Sequence, residues 1–254
     1  MLALRYAERE LRAWTRLWRG TVFSGVLSPI MFLGAMGVGL GGLVDENAGL
    51  VDGLDYLVFV APGLLTAAAM QNASGSALWN VMGGHKWLGT FRVAVMSPLR
   101  PQDVYLGYLI WETAYVAATA VPFLVVAALL GGVPSWWGVL AIPAVGLCSL
   151  AFAAPLAAYS MTQDSEANFS VLLRLGVMPL FLFSGTFFPL DQLPALLRPL
   201  AWVTPLWHGV ELARGATTGS LGLAWAALHI AVLVAFVTAG IRWGIRASTN
   251  RLAT

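Results

Sequence analysis

The side chains that could do chemistry in this chain are few, and most stand in apolar surroundings. Glu112 is an acid well inside the hydrophobic run LGYLIWETAYVAATAVPFLVV. A carboxylate within a membrane segment is costly and normally faces a bundle interior or a wet cavity. Glu112 therefore reads as a substrate-path or gating residue, or as one side of a helix–helix hydrogen bond. The three histidines, His85, His208 and His229, lie far apart in sequence, and none belongs to an HExxH pattern. Ser74-Gly75 and Ser184-Gly185 lack the glycine two positions earlier that a GxSG nucleophile turn requires. Cys148, the only cysteine, excludes an intramolecular disulfide and a multi-cysteine metal site. Lys86 is the only lysine, and no GxxxxG precedes it, so the chain is not an ATPase by the P-loop route. If ATP drives this protein, another chain binds it, and no cofactor is expected here. Transport ranks above catalysis.

The elements that must position these residues are membrane helices. Hydrophobic residues make up 59% of the chain and charged residues 10%, with a mean hydropathy of +0.77. A soluble domain carries about a quarter charged residues, so the sequence predicts an all-α integral membrane protein, a single domain over 1–254. The arginine-rich start and the long apolar run behind it do not read as a cleavable signal. In the segment 1–20, Arg5, Arg9, Arg12, Arg16 and Arg19 recur at four- and three-residue spacings on one helical face, with Leu4, Ala7, Leu11, Trp14 and Trp18 on another. That is an interfacial amphipathic helix or a positive-inside anchor for the first span, cytoplasmic in either case.

Six spans follow: Thr21 to Leu43, Tyr56 to Trp79, Val104 to Leu130, Trp136 to Met161, Phe169 to Phe183 and Gly222 to Ile241. The acidic loop with Asp45, Glu46, Asp52 and Asp55 is external, and the arginines place both termini in the cytoplasm. Gln71, Asn72, Ser74 and Ser76 in the second span are expected to face other helices. Glu166, Ser170 and Arg174 share a face that would support an ion pair, and Glu211 with Arg214 would pair at the outer surface.

Two stretches do not fit simple spans. The loop 80–103 carries His85, Lys86, Arg92 and Arg100 and is internal. Trp87, Leu88, Phe91, Val95 and Met96 in it form one face of a short helix, which a soluble partner grips or which simply lies at the interface. The segment Ser184 to Gly215 is apolar, yet Pro189, Pro194, Pro199 and Pro205 break it. It predicts two short helices, one capped by Asp191 and one starting at Thr204-Pro205 and stopping before Gly215, dipping into the outer half of the membrane.

At these residues a resemblance enters. The order of a basic amphipathic helix, six spans and a broken outer segment resembles ABC-2 type transporter permeases over almost the whole chain. FLFSGTFFPLDQLP (Phe181 to Pro194) followed by PLWHGVELARG (Pro205 to Gly215) is most similar to the branch holding the nodulation-factor and daunorubicin-exporter-like permeases. The resemblance implies a bacterial cytoplasmic (inner) membrane protein that exports an amphipathic substrate: a lipid-linked glycan, a glycolipid or a hydrophobic drug. It implies two permeases side by side, as a homodimer or heterodimer in the lipid bilayer, each docked to a separate P-loop ATPase that holds ATP and Mg, with no nucleic acid partner. Loop 80–103 becomes the coupling element, with His85, Lys86, Trp87, Phe91 and Arg92 meeting the ATPase. Residues 185–215 become re-entrant helices closing the outer mouth. Phe187, Phe188, Trp202, Trp207 and His208, with Glu112, then line the substrate path or gate, although an ordinary interfacial aromatic belt is the stronger account of the rings. The rivals are an ATP-independent carrier or channel using Glu112, and a membrane scaffold without transport.

Overall fold

The computed structural model describes residues 2–22, 26–196 and 198–252. Helix α1 (Leu2–Val22) precedes α2 (Ser28–Leu33) and α3 (Gly41–Ala48), which a glycine-bearing π-helical stretch, Gly34–Leu40, joins into one rod. Next come α4 (Tyr56–Met82), a π turn Gly83–Trp87, the short α5 (Thr90–Val95) and α6 (Pro101–Leu129). A 3₁₀ turn Trp136–Leu140 leads into α7 (Ala141–Thr162). Then α8 (Phe169–Leu172) and α9 (Met178–Phe183) flank the π segment Leu173–Val177. Helices α10 (Arg198–Val203), α11 (Pro205–Thr218) and α12 (Leu223–Leu252) complete the chain. Among the described residues there is no strand, only an isolated bridge between Val51 and Leu54.

Five continuous helices are long and apolar enough to cross a membrane: Ser28–Asn47, Tyr56–Trp87, Pro101–Leu129, Trp136–Thr162 and Leu223–Leu252. The protein is therefore a multi-pass membrane protein. The apolar helix Phe169–Phe183 is shorter, about 22 Å at 1.5 Å per residue, against a hydrocarbon core of about 30 Å.

Several boundaries differ from the sequence reading. Residues 23–25 of the expected first span lie outside the described residues, as do the side chains of Trp18 and Arg19. The first rod continues past Asp45 and Glu46 because the Asp45 carboxylate accepts the Tyr56 backbone N–H at 3.0 Å, tying its end to the start of α4. Helix α12 runs well past Ile241. Gly244, Ala247, Ser248 and Leu252 stay buried against the bundle while Arg242 and Arg246 face outward, so the helix has a packing face along its charged end.

Helix α7 is the hub, packed against α4, α6, α11 and α12. Lipid tails are as apolar as leucine, so close packing and interhelical hydrogen bonds must hold such a bundle. The buried face of α7 is accordingly made of small residues, Gly146, Cys148, Ser149, Ala151, Ala154, Ala157 and Ala158 among them. A Cβ at Gly209 would lie 2.4 Å from the Cys148 sulfur, so α11 can cross here only with glycine. The buried Tyr105 hydroxyl shares its proton between the Ala154 and Gly240 carbonyls at 2.8 and 3.1 Å, linking α6, α7 and α12.

Candidate functional site

Helix α6 starts cleanly: Pro101 occupies its first turn, and the Asp103 carboxylate accepts the Arg100 backbone N–H at 3.0 Å. Glu112 follows about three turns in and is only 3% exposed. The Ser76 hydroxyl of α4 donates to its Oε2 at 2.7 Å. Ser76 Oγ in turn accepts from the Asn80 amide at 2.9 Å, which leaves the Tyr108 hydroxyl, 3.0 Å away, to donate to it as well. Every proton in this chain therefore points toward the carboxylate. Oε1 of Glu112 has no hydrogen-bond partner.

These groups floor a hollow of about 580 Å³ between α1, α4 and α6, walled by Trp14, Trp79, Trp111 and Tyr115, with Gln71 and Asn72 at one end. The same two amides border a second hollow of about 460 Å³ lined by Phe32, Leu64, Met178 and Phe181. Ser76 thus packs between helices as expected, whereas Gln71 and Asn72 face an open concavity. Helix α1 closes the first hollow because it lies hard on α6, where a Cβ at Gly107 would sit 2.5 Å from the Ala3 carbonyl. Trp14 then stands 6.2 Å from Trp111, ring to ring. The sequence reading placed Ser76 between helices without pairing it to Glu112, and it missed Asn80 and Tyr108. The four-residue spacings of Ser76 with Asn80 and of Tyr108 with Glu112 were the available signal.

The outer segment is held by Arg214, which is 7% exposed and not at the surface as expected. Its guanidinium donates to Glu211 Oε1 at 2.7 Å, to the Gly185 carbonyl at 2.7 Å and to the Phe59 carbonyl at 3.3 Å, and lies 3.9 Å over the Phe59 ring. Asp191 caps no helix: it sits in a 3₁₀ turn, Leu190–Gln192, and α10 begins only at Arg198. Pro205 does open α11, but that helix continues through Gly215 to Thr218 and ends at Gly219, whose φ of 74° is the left-handed turn that glycine favours. Gly215 is needed for contact, since a Cβ there would lie 2.5 Å from Leu221.

The gate candidates separate into two groups. Phe187 packs with Phe181 and Phe32 at 5.1 and 6.0 Å, while Phe188 is half-buried. Trp207 packs edge-on against His208 and His229, and Trp202 is exposed. His208 and His229, distant in sequence, meet with Nδ1 atoms 2.8 Å apart. His208 Nε2 lies 2.9 Å from the Trp202 carbonyl and donates to it, so His208 Nδ1 accepts from His229. Burial first, then the neighbouring His229, holds the His208 imidazole below its ordinary pKa. Among the described residues, no three His, Cys, Asp or Glu groups gather as a metal site, and Glu166 and Arg174 form no ion pair.

The loop 80–103 is anchored differently from the expected face. His85 is buried and hydrogen-bonded to the Ser160 carbonyl at 3.1 Å. Phe91 is also buried: its ring fills the space beside Gly84 and meets Tyr6 edge-on at 5.9 Å. Both side chains are turned into the bundle, where each holds the loop in place. Val95 packs inward as well. The outward edge is Leu88, Arg92, Val93 and Met96, with Trp87 half-exposed over Trp79. Lys86 donates to the Asp164 carbonyl, and Arg251 reaches Asp164 Oδ1 at 2.7 Å and the Gln163 carbonyl at 3.1 Å. The Arg251 hydrogen bond holds the Asp164 carboxyl below the usual carboxylate range. Loop 80–103, the end of α7 and the end of α12 are thereby knit together.

A helical membrane bundle with a braced surface loop and no nucleotide-binding motif of its own has the parts of a transporter's membrane subunit. The chain matches the ABC-2 type transporter family over residues 4–218 and belongs to it. It is a transmembrane permease subunit of exporter type, in a family that pairs with a separate ATP-binding subunit, and not a catalytic enzyme. It is similar to Nodulation protein J of Rhizobium leguminosarum bv. viciae, 28% identical over 90% of this chain and 86% of that protein. Its identity to Nodulation protein J of Sinorhizobium fredii is 30%, over 90% and 85% of the two chains. The inner membrane transport permease YadH of Escherichia coli is 24% identical over 91% and 88%.

Proposed function

We propose that this chain is the permease of an ATP-driven exporter in a bacterial inner membrane, moving an amphipathic substrate out of the cytoplasm or inner leaflet. Two permeases, identical or different, stand side by side, each docked to an ATPase subunit that holds ATP and Mg. Both termini are cytoplasmic, Phe169–Phe183 serves as a short additional span, and residues 185–215 form the re-entrant outer gate. One observation carries the reading: the braced loop presents Leu88, Val93 and Met96 outward, with Met96 85% exposed. Exposed apolar side chains on a basic cytoplasmic loop suit a protein partner. His85, Phe91 and Lys86 make the same loop rigid enough to pass a push on to α4, α7 and α12.

The test is the triple variant Leu88→Glu, Val93→Glu, Met96→Glu, with the ATPase subunit purified through a tag on the permease. The expected outcome is loss of the ATPase and of transport, with the permease still folded. Full retention of the ATPase in that variant would sink the docking assignment. The buried carboxylate of Glu112 favours one rival, a carrier that works without ATP. Transport by the chain alone in ATP-free vesicles would favour that rival.

A further inference from the structure

Helix α1 has three faces rather than two. Tyr6 is buried and Ala3, Glu10 and Trp14 are half-buried, a face that lies on α6 and meets Phe91. At the helical repeat, Leu4 and Leu11 fall to one side of that face, and both stay open, 51% and 47% exposed. Arg5, Glu8, Arg12 and Arg16 fall on the third face, where, with Arg9, they border an open basin of about 400 Å³. A helix lying flat on a bilayer puts an apolar edge into the acyl chains and its basic face among the phosphates, and α1 has both edges left over after it packs. The charge balance on the third face is positive. Glu8 stands between Arg5 and Arg12, at 3.6 and 2.6 Å, and Arg9 pairs with Glu10 at 2.9 Å. Arg16 has no acidic partner among the described residues. Setting Arg9 against Glu10, the three arginines 5, 12 and 16 against Glu8 leave two positive charges. The side chains of Arg5 and Arg12 are each 77% exposed, so their ion pairs bind them only loosely. A guanidinium's planar fork meets two phosphate oxygens at once.

We propose that α1 is a binding surface for anionic phospholipid, with Leu4 and Leu11 among the acyl chains and Arg12 and Arg16 on the phosphate of a head with net negative charge. A zwitterionic head brings its own cation beside the phosphate and gives the two surplus charges little to hold. The lipid presses α1 onto α6, where Ala3 already meets Gly107 with no room for a Cβ. Because Tyr6 of α1 meets Phe91 edge-on at 5.9 Å, the same hold steadies the loop 80–103. Lipid charge thereby bears on the loop without touching it. The proposal goes beyond the exporter reading and does not depend on it.

The experiment is hydrogen exchange of the full chain in nanodiscs of phosphatidylcholine, with and without phosphatidylglycerol. The expected result is that phosphatidylglycerol slows exchange over residues 2–16 by about 25-fold, about fivefold for each of the two surplus charges. Exchange over residues 89–96 should slow with it, while α7 stays as it was. The double variant Arg12→Gln, Arg16→Gln should match the native chain in phosphatidylcholine, which shows that it folds, and should lose the gain from phosphatidylglycerol. Native exchange indifferent to phosphatidylglycerol, or an equal gain in the double variant, would overturn the proposal. Inorganic phosphate that reproduces the gain in phosphatidylcholine discs would overturn it too, since the face would then take any phosphate and not a lipid surface. Slowing over residues 2–16 only when an ATPase subunit is added would give the face to a protein partner and likewise overturn it.

Discussion

Replacing Arg214 with methionine removes the guanidinium that ties Gly185 of the outer segment to Phe59 of α4, and the structure fixes what should follow. The guanidinium serves two backbone carbonyls, Gly185 and Phe59, and one carboxylate, Glu211. A buried carbonyl left without its donor costs about 1–3 kcal/mol. Glu211 keeps about a third of its side chain in solvent, so losing that pair adds under about 1 kcal/mol. Loss of the contact with the Phe59 ring adds about 1 kcal/mol. Relief from burying a cation offsets part of the total, which leaves about 3 kcal/mol. For a chain of this size that is a fall in Tm of about 6–12 °C. The assay is thermal unfolding of the purified chain in nanodiscs, combined with hydrogen exchange over residues 184–193. Exchange there should rise while α7 stays protected. Arg214→Lys should recover little, because one ammonium lacks the planar fork that meets three acceptors at once. An unchanged Tm and unchanged exchange at Gly185 in Arg214→Met would refute the clamp.

Two further predictions concern other joints. The His208–His229 pair is assembled with both rings neutral, and burial depresses the His208 pKa. Its contribution to stability should be complete above about pH 6.5 and decline as pH falls toward the depressed folded value. Melting curves across that range should show the slope, and His208→Gln should flatten it. Gly107→Val should push α1 off α6, since its Cβ meets the Ala3 carbonyl and Tyr6 Cβ within 2.7 Å. Hydrogen exchange over residues 2–16 should then rise. Unchanged exchange there would mean that α1 docks without that close approach.

The sequence alone determined the class of the protein. Its composition leaves no choice but membrane helices. The sequence carries no P-loop motif, and the prolines after Phe183 break the apolar run where the structure also breaks it. These features are local, so a linear reading finds them. Side-chain partners were different. Phe91 looked like an outward docking residue because helical spacing defines a face without saying which way it turns, and only the hole beside Gly84 turns it inward. Arg214 looked superficial because its two carbonyl acceptors come from residues 29 and 155 positions away. Glu112 was legible as a buried acid, but its donor Ser76 stands on another helix, and the unpaired indole of Trp14 on a third. Which helices touch, and at what rotation, follows from glycines and alanines that permit close crossings, and that is decided only when the whole bundle packs.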